Sequence, residues 1–197
     1  MPLVLPQLLI VFLGGLAALS WQVLWQQDLA LALGVSERGA AVTVAAVMSG
    51  MALGAWRAGR RWQRATPRNP WVLYGCLEVL VGVLAWLPAL LLGPLQHVDA
   101  VVFRVAPSLA TPFHALALAF TVGPSCVAMG ATFPVIAIIA GRSSWSVSRF
   151  YAVNAAGAAS GAMVAALILV PMLGRTGAAW APPPRSAAWA RPGWSRC

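Results

Sequence analysis

Five apolar stretches, at about residues 3–25, 40–58, 71–92, 112–140 and 150–173, constrain this chain more than any single motif. Each comes near or exceeds the roughly 20 residues a helix needs to cross a hydrocarbon core about 30 Å thick. A backbone in lipid must satisfy its own polar groups, which leaves helices or a closed barrel. The runs are continuous rather than alternating, and that pattern selects helices. Charged residues make up 9% of the chain, against about a quarter in soluble domains. The expectation is an all-α polytopic membrane bundle of about five transmembrane helices, with nothing of soluble-domain size in residues 1–174. Ala18-Leu19-Ser20 imitates a signal-cleavage site, but the first stretch lacks a basic start and outruns a signal core, so it is expected to stay as a helix.

The net charge of +9 would suit a nucleic-acid binder, but its placement argues against one. Arg57, Arg60, Arg61, Arg64 and Arg68 lie between the second and third stretches, and Arg142 and Arg149 between the fourth and fifth. The alternate loops carry Arg38 and Arg104 beside Asp28, Glu37 and Asp99. Basic loops stay cytoplasmic, which puts the N-terminus inside, in a multi-pass cell membrane of the bacterial inner-membrane kind. The partner this implies is the lipid bilayer and its headgroups, with no nucleic acid. Cys76, Cys126 and Cys197 show no ligand or disulfide spacing, so neither a metal nor another cofactor is expected.

Lipid offers no hydrophobic drive for helix pairing, so spans meet where small residues let backbones approach. Gly50 and Gly54 form one GxxxG and Gly157 and Gly161 another, both expected as packing faces. In the fourth stretch Pro124 and Pro134 remove amide donors from the carbonyls of Phe120 and Gly130, which predicts kinks. Residues 95–112 place Leu95, Val98, Val101, Val102 and Val105 at helical spacing, as an amphipathic helix in the outer interface would. His97 and His114 read as lone interfacial residues. At the start of the fifth stretch Ser148 is expected to cap, Tyr151 to anchor at the interface and Asn154 to bond within the bundle.

Glu78 is the residue that stands out, because it lies about seven residues inside the third stretch, where a carboxylate is costly. Counting inward from the cytoplasmic ends brings Ser49, Thr132 and Ser160 to nearly the same depth, a candidate polar layer. Two readings stay open: a neutral carboxyl bonded to a hydroxyl that holds the bundle, or a proton or cation site such as a polyamine ammonium contact. No second carboxylate, activated nucleophile or metal-ligand set accompanies it, so no catalytic residue is assigned.

The segments "GGLAALSWQVLWQQDLALALG", "VMSGMALGAWRAGR", "LYGCLEVLVGVLAWLPALLL", "MGATFPVIA" and "SVSRFYAVNAAGAASGAMVAALILVPMLG" come in an order that resembles the membrane region of fused spermidine synthase-like proteins. The resemblance covers about residues 10–174. It implies a module that anchors an aminopropyltransferase or guides polyamine to it. The glycine-rich loop and acidic residues of that family's catalytic domain are absent from this sequence, so transferase activity is not assigned to it. Gln22 and Gln27 stand where family members often carry an acidic and a basic residue. Residues 175–197, rich in Ala, Pro, Arg and Trp, depart from the family pattern and read as a disordered tail, either the product of a frameshift near residue 175 or a natural short tail. The alternative is a standalone transporter-like or scaffold protein. Five helices form a small bundle, so other membrane helices or a homo-oligomer would then be needed to enclose a pathway.

Overall fold

A computed structural model describes residues 4–33 and 37–173 of the chain. It is an all-α bundle: α1 (Val4–Leu33), α2 (Glu37–Arg64), α3 (Pro70–Leu84), α4 (Leu87–Val105), α5 (Ala110–Thr121), α6 (Gly123–Gly141), α7 (Val147–Val164) and the short α8 (Val170–Leu173). A 3-10 turn at Pro107–Leu109 joins α4 to α5, and a π turn at Ala165–Leu169 joins α7 to α8. The π turn lies just ahead of Pro171, whose missing amide cannot continue the regular ladder. Five segments are long and apolar enough to cross a membrane: Leu5–Gln27, Ala40–Arg64, Pro70–Leu95, Gly123–Gly141 and Val147–Met172. The tail from residue 175 lies outside the described residues.

Two of the five stretches are broken by proline. The third is two helices, because Pro88 has no amide to donate to the Leu84 carbonyl and the chain turns at Ala85 and Trp86. The break leaves the Ala85 carbonyl free to accept the buried indole N–H of Trp25, at 3.1 Å, which ties α1 to the turn. Trp25→Phe keeps the ring but strands that carbonyl, and should lower stability by about 1 kcal/mol. Thermal unfolding in mild detergent measures the loss. The fourth stretch is interrupted at Val122, two residues before Pro124, so that α5 and α6 are separate and the crossing segment is Gly123–Gly141. Pro134 does not interrupt α6. The amphipathic segment expected at 95–112 is mostly the continuation of α4, which runs unbroken through Pro94 to Val105.

At the other end of the third span, Asn69 caps α3 by accepting from the Val72 amide at 3.4 Å, and Pro70 occupies the first turn, where no amide is needed. The cap of α7 is Ser146, in extended conformation, rather than Ser148; its hydroxyl meets that of Ser148 at 2.9 Å instead of an amide of the helix. Arg142 donates to the carbonyls of Pro67 at 3.0 Å and Arg68 at 3.2 Å, joining the two arginine-bearing loops.

The bundle is built on two close backbone pairs. A Cβ added to Gly157 would overlap the Phe12 carbonyl oxygen, and one on Gly161 that of Leu16. Stepping four residues along α1 steps four along α7, so the two helices are parallel. Gly15 faces the backbone of Asn154 in the same interface, and Ser20 donates to the Gly161 carbonyl at 3.0 Å. The second pair repeats the device: Gly50 meets Gly123 and Cys126, Gly54 meets Val127, and Gly130 meets Met51, so α2 and α6 are parallel too. Glycine Cα hydrogens aimed at carbonyl oxygens contribute about 0.5–1 kcal/mol each. Within the bundle α6 is the central helix, with 56% of its spanning window buried against 17–28% for the other four. α3 packs on α6 and turns Val72, Val79 and Val83 outward, as a lipid-facing helix does.

Candidate functional site

Where the two pairs and α3 meet lies a partly open cavity of about 110 Å³. All five spans line it: α1 through Gly14, Ala18 and Gln22, α2 through Met51, α3 through Glu78 and Val81, α6 through Thr132 and Phe133, and α7 through Asn154. That volume is room for a few waters, a liquid water occupying about 30 Å³.

Glu78 supplies the cavity's carboxyl group. One turn earlier on the same face, the phenol of Tyr74 donates to it. Tyr74 is 1% exposed, held between Trp71, edge-on at 6.5 Å, and a cluster that includes Val11, Val135, Ile136 and Phe150. Space for the pair comes from Gly14: a Cβ there would overlap the Tyr74 hydroxyl and lie 2.7 Å from a Glu78 carboxylate oxygen. No arginine or histidine lines the cavity, and the ion pair found among the described residues is elsewhere, between Asp99 and His114.

The remaining polar lining is uncharged. Thr132 commits its hydroxyl proton to the Met129 carbonyl at 2.7 Å, which leaves the oxygen's lone pairs as acceptors. Gln22 and Asn154, from the adjacent helices α1 and α7, complete the polar lining. Each presents both donor and acceptor atoms. A carboxyl, a hydroxyl oxygen and two amide oxygens form a set suited to an ammonium group, a hydrated cation or a proton.

Of the four residues expected in a polar layer, the structure brings Glu78 and Thr132 to one cavity and leaves out the other two. Ser49 is exposed on the outer face of α2, and Ser160 donates to the Ala156 carbonyl of its own helix at 2.8 Å. Depth counting sets the level along a helix but not the side, and each residue step turns the side chain by about 100°. The structure adds Tyr74, Gly14, Gln22 and Asn154. Tyr74 had a sequence signal, since it stands four residues before Glu78 and so shares its face. The glycine that admits the pair had none. His114 is a further correction: it is not alone but paired with Asp99, joining α5 to α4. Tyr151 donates to the Phe133 carbonyl at 3.2 Å and stacks on the Phe133 ring, centroids 5.8 Å apart, just behind the cavity wall.

Among the described residues no group of three or more His, Cys, Asp or Glu side chains gathers as metal ligands would. No protein-family model matches the chain, and no curated protein or solved structure matches it significantly.

Proposed function

We propose that this chain is a membrane-embedded module whose central cavity takes the ammonium end of a polyamine or a cation of similar size. One observation carries the reading: a carboxyl group within the spanning region lines a cavity to which no cationic side chain contributes. A buried carboxylate is costly unless an opposite charge compensates it, and here that charge would come with the ligand. The cavity's size admits an ammonium group with a few methylenes, so the rest of a polyamine would extend out of it. The resemblance of residues 10–174 to the membrane region of spermidine synthase-like proteins supports polyamine as the class. In that setting the module anchors or guides substrate for a transferase. Its place would be a bacterial inner membrane, with the arginine loops in the cytoplasm.

The Tyr74–Glu78 bond favours a second reading, in which the carboxyl serves only to hold α3 in the bundle. Glu78→Gln separates the two, because it keeps the shape and removes the charge. Calorimetric titration of spermidine into the detergent-purified protein should show binding that falls at least tenfold in the variant, with little change in the thermal midpoint. A lowered midpoint with no spermidine binding by either protein would establish the structural reading instead.

A further inference from the structure

The arginine end of α2 has an organisation that the cavity does not explain. Arg57, Arg60, Arg61 and Arg64 stand at positions i, i+3, i+4 and i+7 of the helix, so they form one face, and all four are exposed. A neighbouring face, Gly54, Ala58 and Trp62, is the packed one. At their inner end the arginines are flanked by Leu53, four residues before Arg57, and Trp56, four before Arg60, exposed by 42% and 53%. Such exposed apolar side chains suit a surface against acyl chains.

The length of α2 places the arginines. Its 28 residues span about 42 Å, against a hydrocarbon core of about 30 Å, so its last turns stand at headgroup level. Trp56 marks the boundary, with the Arg60 guanidinium 4.7 Å over its ring, and Trp145 carries Arg149 at 5.3 Å on the same end of the bundle. The ion pair found among the described residues, between Asp99 and His114, involves none of these arginines.

We infer that the Arg57, Arg60, Arg61 and Arg64 face of α2 is a binding surface for the phosphates of anionic phospholipids in the surrounding leaflet. Guanidinium groups take phosphate oxygens in pairs, and the exposed Leu53 and Trp56 below them receive the acyl chains of the same lipid.

The test uses the full chain in nanodiscs of equal phosphatidylglycerol and phosphatidylcholine, released into the gas phase so that retained lipids are counted by mass. The expected result is several-fold enrichment of phosphatidylglycerol, eroded by added sodium chloride. R61Q/R64Q should reduce that enrichment more than tenfold, at about fivefold for each arginine, whereas R61K/R64K should keep most of it. Equal retention of the two lipids by the unaltered chain would overturn the inference. So would enrichment that survives in R61Q/R64Q, or that ignores salt.

Discussion

Gly157→Val should abolish accumulation of the folded bundle, as should Gly54→Val, while Gly75→Ala and Gly82→Ala should leave it unchanged. All four sites are helical glycines in apolar segments, though only Gly54 and Gly157 belong to a GxxxG. They differ in what a Cβ would meet. At Gly157 it would lie on the Phe12 carbonyl and at Gly54 on that of Val127, 2.8 Å from the carbonyl carbon in each case. A backbone cannot rotate aside as a side chain can, so the helices would have to separate and give up the whole parallel interface. Effects above about 4 kcal/mol are exceptional for single substitutions and belong to such mechanisms. Gly75 and Gly82 have nothing within 4 Å of the added atom, so alanine there should fall within about 0.5 kcal/mol of neutral. The measurement is the fraction of each variant that elutes as one folded species in mild detergent, together with the proportion of SDS needed to unfold it.

Gly14→Ala has a different consequence, because what its methyl group would strike is a site rather than a backbone. The added Cβ overlaps the Tyr74 hydroxyl and crowds the Glu78 carboxyl. The Tyr74 ring cannot swing clear, since it is packed against Trp71, Val11 and Phe150 in a cluster with almost no exposure. The carboxyl, on its longer and freer stem, is displaced instead, and the Tyr74–Glu78 bond is lost. Spermidine affinity should fall at least tenfold while the bundle still folds, and the thermal midpoint should shift by only a few degrees. An unchanged affinity would mean that the position of Glu78 is immaterial to the cavity's ligand.

The spanning segments were legible because apolar length alone identifies them, and the candidate site was legible as far as Glu78 because a carboxyl in such a segment is conspicuous. The breaks were harder. Pro88 stands in an apolar run much as Pro134 does, yet the third stretch turns at Pro88 and α6 continues through Pro134. The difference lies in tertiary partners, since at the first break the Trp25 indole receives a carbonyl that the helix has released. Pairing was the least legible feature. A GxxxG shows that a helix can be approached closely, but the fact that Gly157 receives Phe12 and Gly54 receives Val127 depends on faces more than 70 residues apart in the chain. The same limit applies to Ser49 and Ser160, which lie outside the cavity lining.

The parallel pairing of α1 with α7 and of α2 with α6 also dictates an order of assembly. Chains enter a membrane from the N-terminus, so α1 must wait for α7: Ser20 and the Gly161 carbonyl that it binds are 141 residues apart. Until then the glycine faces of α1 and α2 have only lipid or the insertion machinery against them. α6 emerges before α7, so the α2 pair closes first and offers the finished face on which α3 and Glu78 are held. α1 and α7 close last, and with them the cavity acquires its remaining walls. The site is therefore a late product of biogenesis, completed at the moment when α1 and α7 find each other.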